Sequence, residues 1–118
     1  MEPIYDHKGR VVAWQHGSYV YHLNGSHAGV IYGTYLYSCR GHHLGVFKDG
    51  LIWDYRGGVV AFVRGASGGP DLPILTAPPV PPEPSAPPKP AVPSAPHVPA
   101  VLSPGWGQQE WDQFINAQ

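Results

Sequence analysis

Cysteine is almost missing from this chain: Cys39 is the only one in 118 residues. No intrachain disulfide can form, which fits a reducing compartment and points to the cytoplasm. No run approaches the ~18 apolar residues that a membrane-spanning helix needs. The opening MEPIYDHKGR has no apolar core of the kind a secretory signal carries, so none is expected. Net charge is only −1, too little for the broad basic footprint of a nucleic-acid binder. Helical periodicity is missing from residues 1–66. Proline is scarce there too: Pro3 stands alone, and the other fourteen lie between Pro70 and Pro104.

What the first half does have is a repeat. Cut every sixteen residues, it reads PIYDHKGRVVAWQHGS, YVYHLNGSHAGVIYGT, YLYSCRGHHLGVFKDG and LIWDYRGGVVAFVRGA, with no gap. One column is Ile4, Val20, Leu36 and Ile52, and the next is Tyr5, Tyr21, Tyr37 and Trp53. A glycine column follows at Gly9, Gly25, Gly41 and Gly57. A small residue recurs at Ala13, Gly29, Gly45 and Ala61.

Each copy reads as a β-hairpin. A short apolar-aromatic run leads to Asp6, Ser38 or Asp54, and glycine follows three residues later, the signature of a type I turn. Glycine supplies the positive φ that a G1 bulge needs before the return strand. The return strand is β-branched and aromatic in its middle, and a second turn near Gly17, Gly33, Asp49-Gly50 and Gly65 leads onward. Since a lone hairpin is marginal in water, the four must share a core. The fold class expected is therefore all-β, an eight-strand meander of four petals around a pseudo-four-fold axis. Ala13, Gly29, Gly45 and Ala61 are expected where the equivalent strands crowd together.

The I-Y-D-x-x-G-R-V-V-A opening, the G-x-x-L-G-V-F return and the G-A-S-G-G-P exit resemble the 4-fold beta flower family of small bacterial and phage-type proteins. A proline-rich strap and a Trp-containing end are also similar, so the resemblance covers nearly the whole chain. It implies four hairpin petals and brings no catalytic residues.

Three parts are expected: a petal domain over 1–68, a proline-rich strap over 69–105 and a short amphipathic helix over 106–118. The strap suits polyproline II, which rises ~3.1 Å per residue. In the tail, Trp111, Phe114 and Ile115 fall at i, i+3 and i+4, one apolar stripe. A helix this short does not stand alone in water, so the stripe, with Trp106, is expected to dock on a head, its own or a partner's. The head carries net +2 and the remainder net −3, which favours that contact weakly.

Chemistry-bearing residues are few. His27 and His43 share a column, but no zinc-ligand spacing or cysteine pair accompanies them, so no metal is expected. Asp6 and Asp54 sit where a turn wants an Asx side chain, and Cys39 has no base placed beside it. Neither a catalytic residue nor a cofactor is expected. The column before the turn glycine is Lys8, Asn24, Arg40 and Arg56, three of the four cationic. Symmetry would set these on one rim, able to receive an anion. With His27, His43, Tyr19 and Tyr35 they would hold a nucleotide-like ligand, phosphate by cations and base by stacking. The reading is a non-enzymatic binder of a small anionic or aromatic ligand, one version of which sequesters a signal. The alternative is an assembly module, a homo-oligomer built through the β domain and the Trp-containing tail.

Overall fold

The computed structural model describes residues 2–54, 56–67, 69, 72–73 and 105–116. Eight strands run in chain order: β1 (Glu2–Tyr5), β2 (Val11–His16), β3 (Tyr19–His22), β4 (His27–Tyr32), β5 (Tyr35–Ser38), β6 (His43–Lys48), β7 (Leu51–Asp54) and β8 (Val59–Val63). Every neighbour is antiparallel, and β1 pairs with β8 through Ile4–Val63 and Tyr5–Phe62, which closes the barrel. Among the described residues one helix, α1 (Trp111–Ile115), follows. The described residues span 36 × 36 × 21 Å, two equal long axes and one short, as four petals around an axis require.

The four tip turns are built alike. In the first, Gly9 N–H donates to the Asp6 carbonyl at 3.0 Å, and Asp6 N–H donates to the Arg10 carbonyl at 2.9 Å. The same pair of bonds recurs from His22, Ser38 and Asp54. Gly9, Gly25, Gly41 and Gly57 have φ of 77°, 88°, 86° and 85°, a left-handed conformation that a Cβ would strain. Each return strand then bulges, the register slipping between Ile4/Tyr5, Val20/Tyr21, Leu36/Tyr37 and Ile52/Trp53. Between petals the loops hold two residues, Gly17-Ser18, Gly33-Thr34 and Asp49-Gly50. Positive φ at both Asp49 (53°) and Gly50 (80°) is the backbone that a two-residue hairpin loop prefers.

Strand alternation divides the repeat between two faces. Ile4, Val20, Leu36 and Ile52 are each 0% exposed and share one cluster, so this column fills the barrel interior. Tyr5, Tyr21, Tyr37 and Trp53 are buried on the other face. Ala13, Gly29, Gly45 and Ala61 are all buried, and the structure shows what crowds the two glycines. A Cβ on Gly29 would meet the Tyr37 carbonyl oxygen at 2.7 Å. One on Gly45 would overlap the Trp53 carbonyl and meet the Phe114 ring at 3.0 Å. The small column thus lets each petal approach the first strand of the next.

The tail packs on its own chain's barrel. Trp111, Phe114 and Ile115 join the interior cluster, each 2% exposed. This helix is shorter than the 106–118 expected from sequence. Gly105 and Gly107 flank Trp106, which instead lies extended in a parallel bridge with Val59. Val59 N–H donates to the Gly105 carbonyl at 3.1 Å, and Gly107 N–H donates to the Val59 carbonyl at 2.8 Å. Glycine is a poor helix former, and the bulge at the start of β8 offers these backbone groups a partner. The proline-rich strap expected over 69–105 lies almost wholly outside the described residues.

A candidate site between the fourth petal tip and the tail

Asp54 opens the fourth tip turn. It is 2% exposed, and its Oδ1 accepts the backbone N–H groups of Arg56 at 2.9 Å and Gly58 at 3.0 Å. That is the turn role expected of it, and it leaves the second oxygen facing the tail. Gly58 and Gly107 stack backbone on backbone. A Cβ on Gly58 would overlap the Gly107 Cα, and one on Gly107 would lie 3.1 Å from the Gly58 Cα and 3.3 Å from Asp54 Oδ2.

The tail is anchored on both sides of this contact. Trp106 packs with the cluster of Tyr5, Val59 and Phe62, its ring 6.0 Å from that of Phe62. It also meets the His7 ring edge-on at 6.1 Å. Beyond it, α1 sinks its stripe into the interior, and Glu110 stands 3.6 Å from His7 Nδ1. Gln113 Oε1 accepts the Glu110 N–H at 3.1 Å, bracing the first turn. The segment between the anchors crosses the fourth tip and leaves a cavity of about 650 Å³. Its walls are Asp54, Arg56, Gly57 and Gly58 from the tip, and Gly107, Gln108, Gln109 and Gln113 from the tail.

Of the residues expected to bind a ligand, Arg56 is among the described residues that line the cavity. Lys8 and Arg40 are exposed on their own tips and do not line it. His27 and His43 lie with tyrosines on the second and third petals. The His27 ring is 6.2 Å from Tyr19 and 4.9 Å from Tyr21, and the His43 ring is 5.6 Å from Tyr35 and 5.4 Å from Tyr37. Burial, and then the neighbouring Tyr19 or Tyr35, pushes the Tyr21 and Tyr37 hydroxyls up. Lys8 and Arg56 therefore stand on the first and fourth petals, while Arg40 shares the third with Tyr35 and His43.

Asp6, His7 and Glu110 bring one ligand atom each within 4.8 Å of one another. Asp6 is already engaged. Its Oδ1 accepts the N–H groups of Lys8 and Arg10 at 2.9 and 3.0 Å, and its Oδ2 accepts Arg10 Nε at 3.0 Å and a terminal guanidinium nitrogen at 2.8 Å. Burial alone would push this carboxyl up. The Arg10 N–H, its guanidinium and the Lys8 N–H outweigh that and hold it below the usual range. A carboxylate neutralised by an arginine is a poor metal ligand. Cys39 is half-buried, and burial pushes its thiol up, away from the thiolate a nucleophile needs.

The profile of the 4-fold beta flower protein family matches residues 2–115, and the chain belongs to that family. Comparison with curated proteins and with solved structures found no match.

Proposed function

We propose that the protein is a non-enzymatic binding protein that captures a small anionic ligand between its fourth petal tip and its tail. The observation that carries this reading is the cavity of about 650 Å³ with Arg56 in its wall. Small-molecule sites typically span roughly 300–1,000 Å³. A guanidinium has five N–H donors in a planar fork, suited to carboxylate or phosphate. The assembly alternative draws less support, because Trp111, Phe114 and Ile115 are buried in their own chain.

The test is calorimetry of the full chain against a panel of phosphates, nucleotides and carboxylates, repeated on Arg56→Gln. Binding by the wild type should weaken about tenfold or more in the variant, the scale of a lost hydrogen bond to a charged group. A panel without binding would return the protein to the assembly class.

A further inference from the structure

Resting on the cavity being the binding site, we propose that the tail is a ligand-controlled latch: it opens from the barrel as one unit, and a bound anion holds it shut. Half of the described wall, Gly107, Gln108, Gln109 and Gln113, belongs to the tail. The other half, Asp54, Arg56, Gly57 and Gly58, belongs to the fourth tip. A tail that lifts takes its half of the site with it, so the docked form binds more tightly than the open one. A ligand shifts a two-state equilibrium only through such a difference in affinity.

The tail is attached in a way that lets it open separately. The barrel is a closed ladder of eight antiparallel strands. The tail backbone joins that ladder at Val59, through the bonds of Gly105 and Gly107. Its helix has five residues, too few to hold themselves helical in water, so α1 persists only while its stripe stays buried. The rest of the hold is side-chain burial at two anchors. Trp106 packs against the cluster of Tyr5, Val59 and Phe62, and Trp111, Phe114 and Ile115 join the interior cluster. Gly107, Gln108 and Gln109 lie in the chain between these anchors, with Gly107 resting backbone on backbone against Gly58. Loss of either anchor therefore moves the tail's half of the wall. A segment held by a few buried side chains and a short backbone bridge opens below the free energy of global unfolding.

The coupling is reciprocal. A ligand that binds only the docked form favours docking by a factor of 1 + [L]/Kd. Opening would uncover Trp106, Trp111, Phe114 and Ile115, so the anion sets how often these apolar anchors are presented to solvent.

Amide hydrogen exchange of the full chain tests this, read by NMR without ligand and with inorganic phosphate, adenosine monophosphate or citrate. Each probe that calorimetry shows to bind is used at a hundred times its Kd. Two reporters stand on either side of the crossing: Gly107 N–H, bonded to the Val59 carbonyl, and Phe114 N–H, bonded to the Glu110 carbonyl. Without ligand, both should exchange faster than the slowest amides of β4 and β5, which report global unfolding. With a bound probe, both should slow about a hundredfold. Tail amides as slow as the slowest barrel amides before any probe is added would overturn the inference, because the tail would then have no opening of its own. So would exchange at Phe114 that is unchanged by a probe that binds. Either result leaves the anion-binding reading in place. Absence of calorimetric binding by all three probes would remove that reading and the latch with it.

Discussion

The first and fourth petals differ from the second and third, although one backbone serves all four. Where the first and fourth open their tips with Asp6 and Asp54, the second and third have His22 and Ser38. At the bulge the first pair carries Val11 and Val59, the second pair His27 and His43. The tail crosses the tips of the first and fourth petals: Trp106 packs on Val59, Phe62 and the His7 ring, and Gly107 on Gly58. Valine and carboxylate therefore stand where the tail docks, and histidine with tyrosine where the petals keep to themselves. A repeat can hold its fold through turn and packing columns while one junction is specialised by the remaining positions.

The largest break in that comparison should come from the tail. Trp111→Ala empties a fully buried site in the interior cluster, and such truncations cost about 3–5 kcal/mol. Chemical denaturation should show a loss of that size. A variant with an unchanged midpoint would mean that the helix contributes nothing to the barrel.

A smaller effect separates two equivalent glycines. Gly45→Ala drives a methyl into the Trp53 carbonyl and the Phe114 ring, whereas Gly29→Ala meets only the third petal. Overpacking costs about 1–3 kcal/mol, and Gly45→Ala should sit higher in that range than Gly29→Ala. Removing Phe114 in the same chain should narrow the gap. Equal costs in both backgrounds would show that the tail does not reach this column.

The smallest effect is one of pH. The Asp6 carboxyl is held low in the folded chain, so it adds stability above its unfolded value of about 3.9 and loses it as pH falls below. Asp6→Asn should flatten the acid limb of the stability curve. Ser38→Ala should leave that limb unchanged, because a serine does not titrate. An acid limb of the same steepness in wild type and Asp6→Asn would refute the assignment.

Most of the petal architecture was legible because four copies agreed. The period, the turn glycine and the small column each appear four times in the sequence, so one physical cause explains each. The stripe of Trp111, Phe114 and Ile115 was legible for a similar reason, its spacing having one helical meaning. The site was not. Gly107, Gln108, Gln109 and Gln113 have no counterpart in the repeat, and their partners at Asp54 to Gly58 lie some fifty residues earlier. The contact that joins the two halves is glycine backbone against glycine backbone, which leaves no side-chain pattern to read. Symmetry groups Lys8, Arg40 and Arg56 as equals, and the path of the tail, which the repeat does not contain, brings Arg56 into the described wall of the cavity.

A titration of the ¹⁵N-labelled full chain with the anion that binds tightest in the calorimetric panel, followed by amide NMR, tests the central claim most directly. The account predicts one ligand per chain, with shifts concentrated at Arg56, Gly57 and Gly58 and at Gly107, Gln108 and Gln109. The tips around Lys8, Asn24 and Arg40 should stay still. Shifts spread equally over the four tips, or confined to the Tyr19–His27 and Tyr35–His43 surfaces, would contradict a site made by the tail on the fourth petal.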